Sequence, residues 1–209
     1  MQLGFYFDQT RCIGCNTCVV ACRDWNELNP GPVRYRKVTV TEEGSYPTAF
    51  VHNLSLACNH CKEPACVAAC ASGAIYKRES DGVVLVNKAK CTNLLACIEA
   101  CPYSQPQIAD DKQETSVKDG WVVPHPVQKC TFCWDRLEEG LPPSCVAACI
   151  ERALDYGDIE ELKKKYPDAV MASSETVPGM PVDTKNTQPS LLVRVKGKIP
   201  VIKNPVDNI

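Results

Sequence analysis

The sequence predicts an α+β fold of short helices and small antiparallel sheets, in which bound groups supplement a modest hydrophobic core. Hydrophobic residues make up 44% of the 209 residues, but that figure includes 15 cysteines, and aromatic residues make up only 7%. The cysteines fall into four clusters, and none follows the last cluster. They are Cys12, Cys15, Cys18 and Cys22; Cys58, Cys61, Cys66 and Cys70; Cys91, Cys97 and Cys101; and Cys130, Cys133, Cys145 and Cys149.

Charge and hydropathy exclude several classes of function. The 23 basic and 25 acidic residues give a formal net charge of −2, so no global basic field favours nucleic acid or an anionic membrane surface. No apolar run approaches the roughly 18 residues that a membrane-spanning helix needs. The first residues also lack the basic and apolar regions of a signal peptide. We therefore expect no nucleic-acid partner and no integral membrane segment.

The spacing of the first cluster decides between three interpretations of the cysteines. Disulfides fit poorly, because the cysteine number is odd and no export signal is visible. Zinc ribbons use two Cys-x-x-Cys pairs, and the fourth cluster alone is compatible with that pattern. The first cluster instead follows the C-x2-C-x2-C-x3-C spacing of bacterial ferredoxins. In that spacing three cysteines wrap one iron–sulfur cluster and the fourth, one helical turn on, reaches a second cluster.

An internal repeat supports the iron–sulfur interpretation. Each cysteine cluster ends in Cys-x3-Cys, and the residues between are mostly small and apolar. This pattern predicts four short helices that lie close to an inorganic group. Pro64 and Pro143 precede two of these helices, where a proline suits the first turn. Gly14 lets the first loop turn and lets backbone amides approach sulfur, which helps to set a cluster's reduction potential.

The connecting segments predict two interleaved two-cluster ferredoxin units. Residues 71–90 read as strand, Asp81-Gly82 turn and strand, so the second and third clusters form one unit over residues 51–105. The first and fourth clusters then pair in an outer unit made of residues 1–50 and 106–160. The run from Arg34 to Glu42 alternates like a strand, and Asp158 begins a short capped helix. Residues 161–209 are expected to form an extended C-terminal tail that contacts a partner, although they could equally fold back on the body.

Two of the cysteine-containing segments resemble motifs of a known family. The segments Cys58-Asn-His-Cys61-Lys-Glu-Pro-Ala-Cys66 and Lys129-Cys130-Thr-Phe-Cys133-Trp-Asp-Arg resemble motifs of the four-cluster iron–sulfur subunits of the dimethyl sulfoxide reductase superfamily. The resemblance covers about residues 3–165. It implies a large catalytic subunit with a molybdenum or tungsten pterin. It also implies a second redox partner, either a membrane quinone-handling subunit or a soluble carrier.

The resemblance also implies how the cysteines are shared among four centres. A first centre would use Cys12, Cys15, Cys18 and Cys149, and a second would use Cys22, Cys130, Cys133 and Cys145. A third would use Cys58, Cys61, Cys66 and Cys101. A fourth would use Cys70, Cys91 and Cys97.

The fourth centre lacks one cysteine, because Leu94 stands where the spacing calls for the second ligand. Leucine has no atom that binds iron, so we expect three [4Fe–4S] clusters and one [3Fe–4S] cluster. Relatives with a residue other than cysteine at this place carry such a three-iron cluster. The alternative is four [4Fe–4S] clusters, with water or an oxygen of Thr92 or Asn93 on the last iron. An empty site is the remaining alternative.

Other residues near the motifs are expected to tune the centres. His60 lies inside a cysteine loop and either hydrogen-bonds sulfide or simply packs. Six basic residues close to the motifs either offset the negative charge of the clusters or are ordinary solvated charges. They are Arg11, Arg23, Lys62, Lys90, Lys129 and Arg136.

These observations predict an electron-transfer subunit without a catalytic site of its own. The clusters would carry electrons between the pterin subunit and the second redox partner. One alternative is the cluster subunit of a formate- or hydrogen-oxidising complex, and another is a zinc-stabilised scaffold. The protein is expected in the cytoplasm, or in the periplasm if it is exported together with a signal-bearing partner.

Overall fold

The computed structural model describes residues 1–115, 118 and 120–197. Within these residues it has eight strands and six α-helices. The strands are β1 (Leu3–Asp8), β2 (Arg36–Glu43), β3 (Phe50–Ala57), β4 (Ile75–Lys77), β5 (Val84–Val86), β6 (Leu154–Asp158), β7 (Val170–Met171) and β8 (Leu191–Arg194). The helices are α1 (Thr17–Trp25), α2 (Ala65–Ala68), α3 (Ala96–Ala100), α4 (Trp134–Glu138), α5 (Ser144–Ala147) and α6 (Ile159–Lys165).

The largest sheet joins the two ends of the described residues. Its strand order is β6-β1-β8-β7. Strand β1 pairs antiparallel with β6 but parallel with β8, so the expectation of purely antiparallel sheets is wrong for this sheet. The pairing of β1 with β6 brings the segment after α5 beside the segment before α1. Residues far apart in sequence therefore meet at this end of the sheet.

The expectation of an extended C-terminal tail is wrong for residues 161–197, which fold back on the body. Helix α6 packs against the largest sheet. Strand β8 is an inner strand of that sheet, between β1 and β7. Leu191, Leu192 and Val193 are all buried. A continuous apolar run suits a strand that is covered on both faces, and this gives the physical reason for the return. Residues 198–209, with the apolar run that begins at Ile199, lie outside the described residues.

Two hairpins complete the β structure. Strands β2 and β3 pair antiparallel from Arg36 opposite Ala57 to Glu43 opposite Phe50, which confirms the predicted strand in this region. Strands β4 and β5 form the predicted second hairpin. Gly82 in its connection has a φ of +72°, a left-handed conformation that glycine adopts without a steric penalty.

The helices are short, and α2, α5 and α6 begin where the sequence predicts. Pro64 and Pro143 directly precede α2 and α5. Asp158 caps α6, because its carboxylate accepts hydrogen bonds from the amides of Glu160 and Glu161. The four-residue length of α2 and α5 places a cysteine inside each helix and another just beyond it.

The cysteines lie within the hydrophobic core rather than at its edge. The larger buried cluster includes Phe5, Phe7, Phe132 and cysteines of the first, second and fourth sequence clusters. A smaller one joins Cys66, Cys91 and Cys97 to apolar side chains of β4 and β5. The modest apolar content of the protein is thus arranged around the thiols.

Candidate metal centres

Cys12, Cys15, Cys18 and Cys149 surround one void. The first two lie in the loop after β1, Cys18 lies in the first turn of α1, and Cys149 follows α5. Cys149 reaches this place because the amide of Asp8 donates to the carbonyl of Ala153 (2.8 Å), continuing the pairing of β1 and β6. The void is open to solvent on the side of Cys15, which is exposed.

The first cysteine loop is fixed by contacts with β3. Gly14 has a φ of +73° and Asn16 a φ of +62°, so the loop winds through the left-handed region twice. The Asn53 amide group donates to the carbonyl of Cys12 at 2.8 Å. A Cβ atom on Gly14 would lie 2.9 Å from Asn53 Oδ1. The loop conformation therefore requires glycine both for its backbone angle and for the close approach of Asn53.

We expect Gly14→Ala to lower the iron content of the first centre. The left-handed backbone costs about 1–2 kcal/mol for a residue with a Cβ, and the new methyl group also displaces Asn53. Gly140→Ala is the matched control, because Gly140 has a φ of +74° but nothing within 4 Å of the added atom. Iron per protein molecule measured for both variants checks the prediction. Equal iron in the two variants would contradict the role given to the Asn53 contact.

A second group consists of Cys22, Cys130, Cys133 and Cys145, all of which are buried. Cys22 lies one helical turn after Cys18 on α1 and faces the fourth sequence cluster, because α1 packs against α5. Burial raises the pKa of the Cys22 thiol, and the negative charges of Cys130 and Cys145 raise it further. Burial likewise raises the pKa of Cys130 to about 12.

A third group brings together Cys58, Cys61, Cys66 and Cys101. Burial raises the pKa values of Cys61 and Cys66 to about 12 each, and their neighbours Cys58 and Cys101 contribute to both shifts. Helix α2 packs against α3, which places Cys101 beside the loop of the second sequence cluster. Cys58 also raises the pKa of Cys130, so the second and third groups are adjacent.

A fourth group has only three cysteines, Cys70, Cys91 and Cys97, which surround one void. Burial raises the pKa of Cys97 to about 11, with smaller contributions from the other two thiols. Burial opposes ionisation of Cys70, but hydrogen bonds from the amide of Ile75 and the hydroxyl of Ser72 lower its pKa. The remaining wall of the void includes Thr92, Asn93, Leu94 and Leu95.

The residues near the missing ligand offer little to bind iron. The Leu94 side chain is 67% exposed and carries no donor atom. The Asn93 amide group donates to the carbonyl of Pro124 at 2.7 Å, and its Oδ1 lies 3.4 Å from Cys91 Sγ. Because the ligands of different iron corners point away from one another, an oxygen held against Cys91 is poorly placed for the fourth corner.

Backbone amides donate to several cysteine sulfurs in the described residues. The amide of Ile75 lies 3.3 Å from Cys70 Sγ and that of Ala153 lies 3.2 Å from Cys149 Sγ. A third, from Phe132 to Cys130 Sγ, measures 3.4 Å. In the first loop, where Gly14 is predicted to let amides approach sulfur, the Gly14 amide donates to the Cys12 sulfur. Hydrogen bonds to sulfur are among the factors that set iron–sulfur reduction potentials.

His60 and Lys129 are both buried between the second and third groups. His60 is 0% exposed, and its Nδ1 accepts a hydrogen bond from the amide of Val84 at 3.0 Å. Burial and the nearby charge of Lys129 lower the pKa of His60 well below its usual value, so the ring is neutral with its proton on Nε2. The Lys129 ammonium group donates to the carbonyls of Val84 and Cys130.

Several polar side chains beside the cysteines were missed by the sequence reasoning. Ser55 Oγ lies 3.5 Å from Cys18 Sγ, and Ser144 Oγ lies 3.6 Å from Cys133 Sγ. Asn53 stands in an Asn-Leu-Ser sequence typical of glycosylation, and Arg36 lies in an alternating strand run, so neither pattern points to a metal centre. The available signal was that Asn53 and Ser55 share one face of a strand whose other residues are mostly apolar.

Several buried donors near the cysteines have no acceptor among the described residues. They are Arg36 Nε and Nη2, His60 Nε2 and Asn59 Nδ2. A buried donor without an acceptor costs free energy comparable to that of a lost hydrogen bond. An anionic, sulfur-rich group held between the cysteines would satisfy such donors. The residues present therefore fit iron–sulfur clusters.

The arrangement disagrees with the other interpretations of the cysteines. All 15 are free thiols rather than disulfides. A zinc ribbon of the fourth sequence cluster would need Cys149 beside Cys130 and Cys133, but Cys149 lies with Cys12 and Cys15 instead.

Comparisons with known proteins agree with the cysteine chemistry. Residues 49–159 match a family model described as a 4Fe-4S dicluster domain, and residues 5–23 match one described as a 4Fe-4S binding domain. The sequence is 40% identical over 175 residues to one component of the anaerobic dimethyl sulfoxide reductase of Escherichia coli, covering 80% of this protein and 78% of the relative. The chain therefore belongs to the iron–sulfur subunit family of the dimethyl sulfoxide reductase superfamily.

Two further members of this iron–sulfur subunit family extend the comparison. The corresponding component of the anaerobic dimethyl sulfoxide reductase of Haemophilus influenzae is 37% identical over 202 residues, with 92% of this protein and 89% of the relative covered. A component of the sulfite dehydrogenase of Allochromatium vinosum is 34% identical over 180 residues, with 77% and 70% covered. The protein is thus an iron–sulfur electron-transfer subunit, and the formate- or hydrogen-oxidising alternative is not favoured.

Proposed function

We propose that this subunit holds four iron–sulfur clusters, one in each group of cysteines. The first centre uses Cys12, Cys15, Cys18 and Cys149, and the second uses Cys22, Cys130, Cys133 and Cys145. The third uses Cys58, Cys61, Cys66 and Cys101, and the fourth uses Cys70, Cys91 and Cys97. The observation that carries this proposal is that folding collects cysteines from separate stretches of sequence into these same groups.

The proposal includes two interleaved ferredoxin units. The outer unit consists of residues 1–50 and 106–160, and the inner one consists of residues 51–105. The exchange of Cys22 and Cys149 between the first and fourth sequence clusters supports this division. Cys70 and Cys101 are exchanged in the same way within the inner unit.

We propose a [3Fe–4S] cluster at the fourth centre. Its void is lined by three cysteines, Leu94 beside it is largely exposed and carries no donor atom, and Asn93 is held by Pro124 and Cys91. The remaining alternative is a [4Fe–4S] cluster whose last iron binds a solvent oxygen. The exposure of Leu94 favours that alternative over ligation by Asn93, since water can reach this corner.

The order of the centres suits transfer of electrons along one line. An iron–sulfur cluster supplies reversible one-electron transfer when it is bound. Arg36 lies between the thiols of the first and second groups, and Cys58 lies against Cys130 where the second and third groups meet. Helix α2 carries Cys66 of the third group and is followed by Cys70 of the fourth. The protein itself fixes these positions, excludes water from the inner thiols and supplies amide donors to sulfur.

The two ends of this line are exposed. Ile13 and Ile150 are exposed beside the first centre, and Leu94 and Leu95 are exposed beside the fourth. We propose that a molybdenum or tungsten pterin catalytic subunit receives or supplies electrons at one end. A second redox partner, a membrane quinone-handling subunit or a soluble carrier, acts at the other. The relatives are named as components of reductases and of a dehydrogenase, which supports a catalytic partner.

The cellular location of the protein stays a prediction, either cytoplasmic or periplasmic by co-export. In the described part of the sequence, no helix has the length and apolarity to cross a membrane.

The proposed cluster content is tested on the complex purified without oxygen. We expect about 15 irons per protein molecule after subtraction of any iron in the partner, and an EPR signal of a three-iron cluster in the oxidised protein. A colourless protein that contains zinc would contradict the proposal. About 16 irons without a three-iron signal would indicate the solvent-ligated cluster instead.

A further inference from the structure

We propose that Arg36 is a positioning residue whose buried positive charge lies between the first and second centres and raises the reduction potentials of both. This inference rests on the proposed function, since it assigns a residue to two of the four proposed clusters. It concerns a side chain that no cysteine motif contains.

The position of Arg36 is fixed by the β2–β3 hairpin. Arg36 begins β2 opposite Ala57, and its side chain is 3% exposed. Its Nη1 donates to Ser55 Oγ at 3.0 Å and to the Ser55 carbonyl at 3.4 Å. The guanidinium carbon lies 4.9 Å from the centre of the Phe5 ring. These contacts hold one edge of the guanidinium and leave the other edge free.

The free edge of Arg36 faces thiols rather than carboxylates. Its Nε and Nη2 are buried and have no acceptor among the described residues. In that part of the sequence no carboxylate forms an ion pair with it. The charges that act on it belong to cysteines of both centres. Cys18 is a ligand of the first centre, and Cys22, Cys130 and Cys145 are ligands of the second.

A buried cation without an anionic partner is strongly unfavourable, so its presence indicates a negative group nearby. A [4Fe–4S]²⁺ core on four thiolates carries a net charge of about −2, and reduction adds one more negative charge. Arginine stays protonated at all ordinary pH values, so its attraction for that charge does not depend on titration. Each adjacent centre therefore accepts an electron more readily than it would without Arg36.

Ser55 connects Arg36 to a ligand of the first centre. Ser55 Oγ accepts from Arg36 and lies 3.5 Å from Cys18 Sγ, so the guanidinium and the thiol are linked through one hydroxyl. Burial acts against the charge of Arg36, but the four neighbouring cysteines raise its pKa above the ordinary value. The same cation opposes the rise in the pKa of Cys145 that burial causes.

The test is EPR-monitored redox titration of the intact complex carrying Arg36→Gln or Arg36→Lys, with the iron content measured on each sample. For Arg36→Gln we expect the reduction equilibria of the first and second centres to shift at least tenfold toward the oxidised form, about 59 mV for one electron. The third and fourth centres should keep their potentials. Arg36→Lys should show only a small part of this shift, because it keeps the charge. Lys37→Gln, at the next residue of β2, is the control and should leave all potentials unchanged.

Two results would overturn the proposal. One is an Arg36→Gln complex with full iron and unchanged potentials, and the other is an equal shift of all four centres. If the Gln variant loses iron, the Lys variant is used instead. Reduction equilibria of the first and second centres within tenfold of those of the natural protein support the role of the positive charge, and a larger shift excludes that role. The natural complex is titrated first, so a lack of clusters there would refute the proposed function separately from the role of Arg36.

Discussion

Cys149→Ala is expected to alter the first centre, and Cys22→Ala the second, although each cysteine belongs by sequence to the other's cluster. The reason is the crossing of ligands between α1 and α5: Cys149 lies against the void of Cys12, and Cys22 lies among the buried thiols near Cys130. Loss of one thiolate leaves one iron corner without its ligand. We expect loss of at least one iron from the affected centre and disappearance of its EPR signal.

A second variant in each group provides the reference spectrum for this prediction. Cys12→Ala and Cys130→Ala define the spectral changes of the first and second centres without ambiguity, because the three-cysteine loops lie wholly within their own sequence clusters. Cys149→Ala should then reproduce the spectrum of Cys12→Ala, and Cys22→Ala that of Cys130→Ala. The opposite correspondence would mean that Cys22 and Cys149 are not exchanged between the first and fourth sequence clusters, and the proposed ligand sets would be wrong.

Local patterns in the sequence predict much of the fold near the centres. The Asp81-Gly82 turn, the cap at Asp158 and the prolines before α2 and α5 each act within a few residues, and each appears where the sequence places it. The cysteine repeat is equally local, because the Cys-x3-Cys spacing sets two thiols one helical turn apart. Grouping the thiols into centres required knowledge of the family, since spacing alone does not specify long-range partners.

The features that the sequence did not predict depend on contacts between distant segments. The Leu191–Val193 run is compatible with a partner-binding tail and with a buried strand. Only its pairing with the edge of β1, a contact between distant segments, decides between the two. Arg36 reads as an ordinary strand residue, because nothing in its neighbourhood in sequence reveals the thiols that surround it. Burial of a charge is a property of the whole fold, and one strand does not encode it.

Leu94→Cys is expected to convert the fourth centre from three irons to four. The change restores the C-x2-C-x2-C-x3-C spacing over Cys91–Cys101, so a thiolate becomes available for the missing corner. Iron should rise from about 15 to about 16 per protein molecule, and the three-iron EPR signal of the oxidised protein should disappear. Leu95→Cys is the control: it adds a thiol one residue later, out of register with the motif, and should leave the iron count unchanged.

The same variant separates the two remaining descriptions of this centre. If the natural protein already holds about 16 irons with solvent on the last one, Leu94→Cys will leave the iron count unchanged and alter only the EPR spectrum and potential. With three irons in the natural protein, the variant changes both the count and the potential. Because reduction potential depends on cluster type, the conversion should shift the potential of the fourth centre. Electron exchange at the exposed end of the fourth centre should then change, while the other three centres keep their spectra.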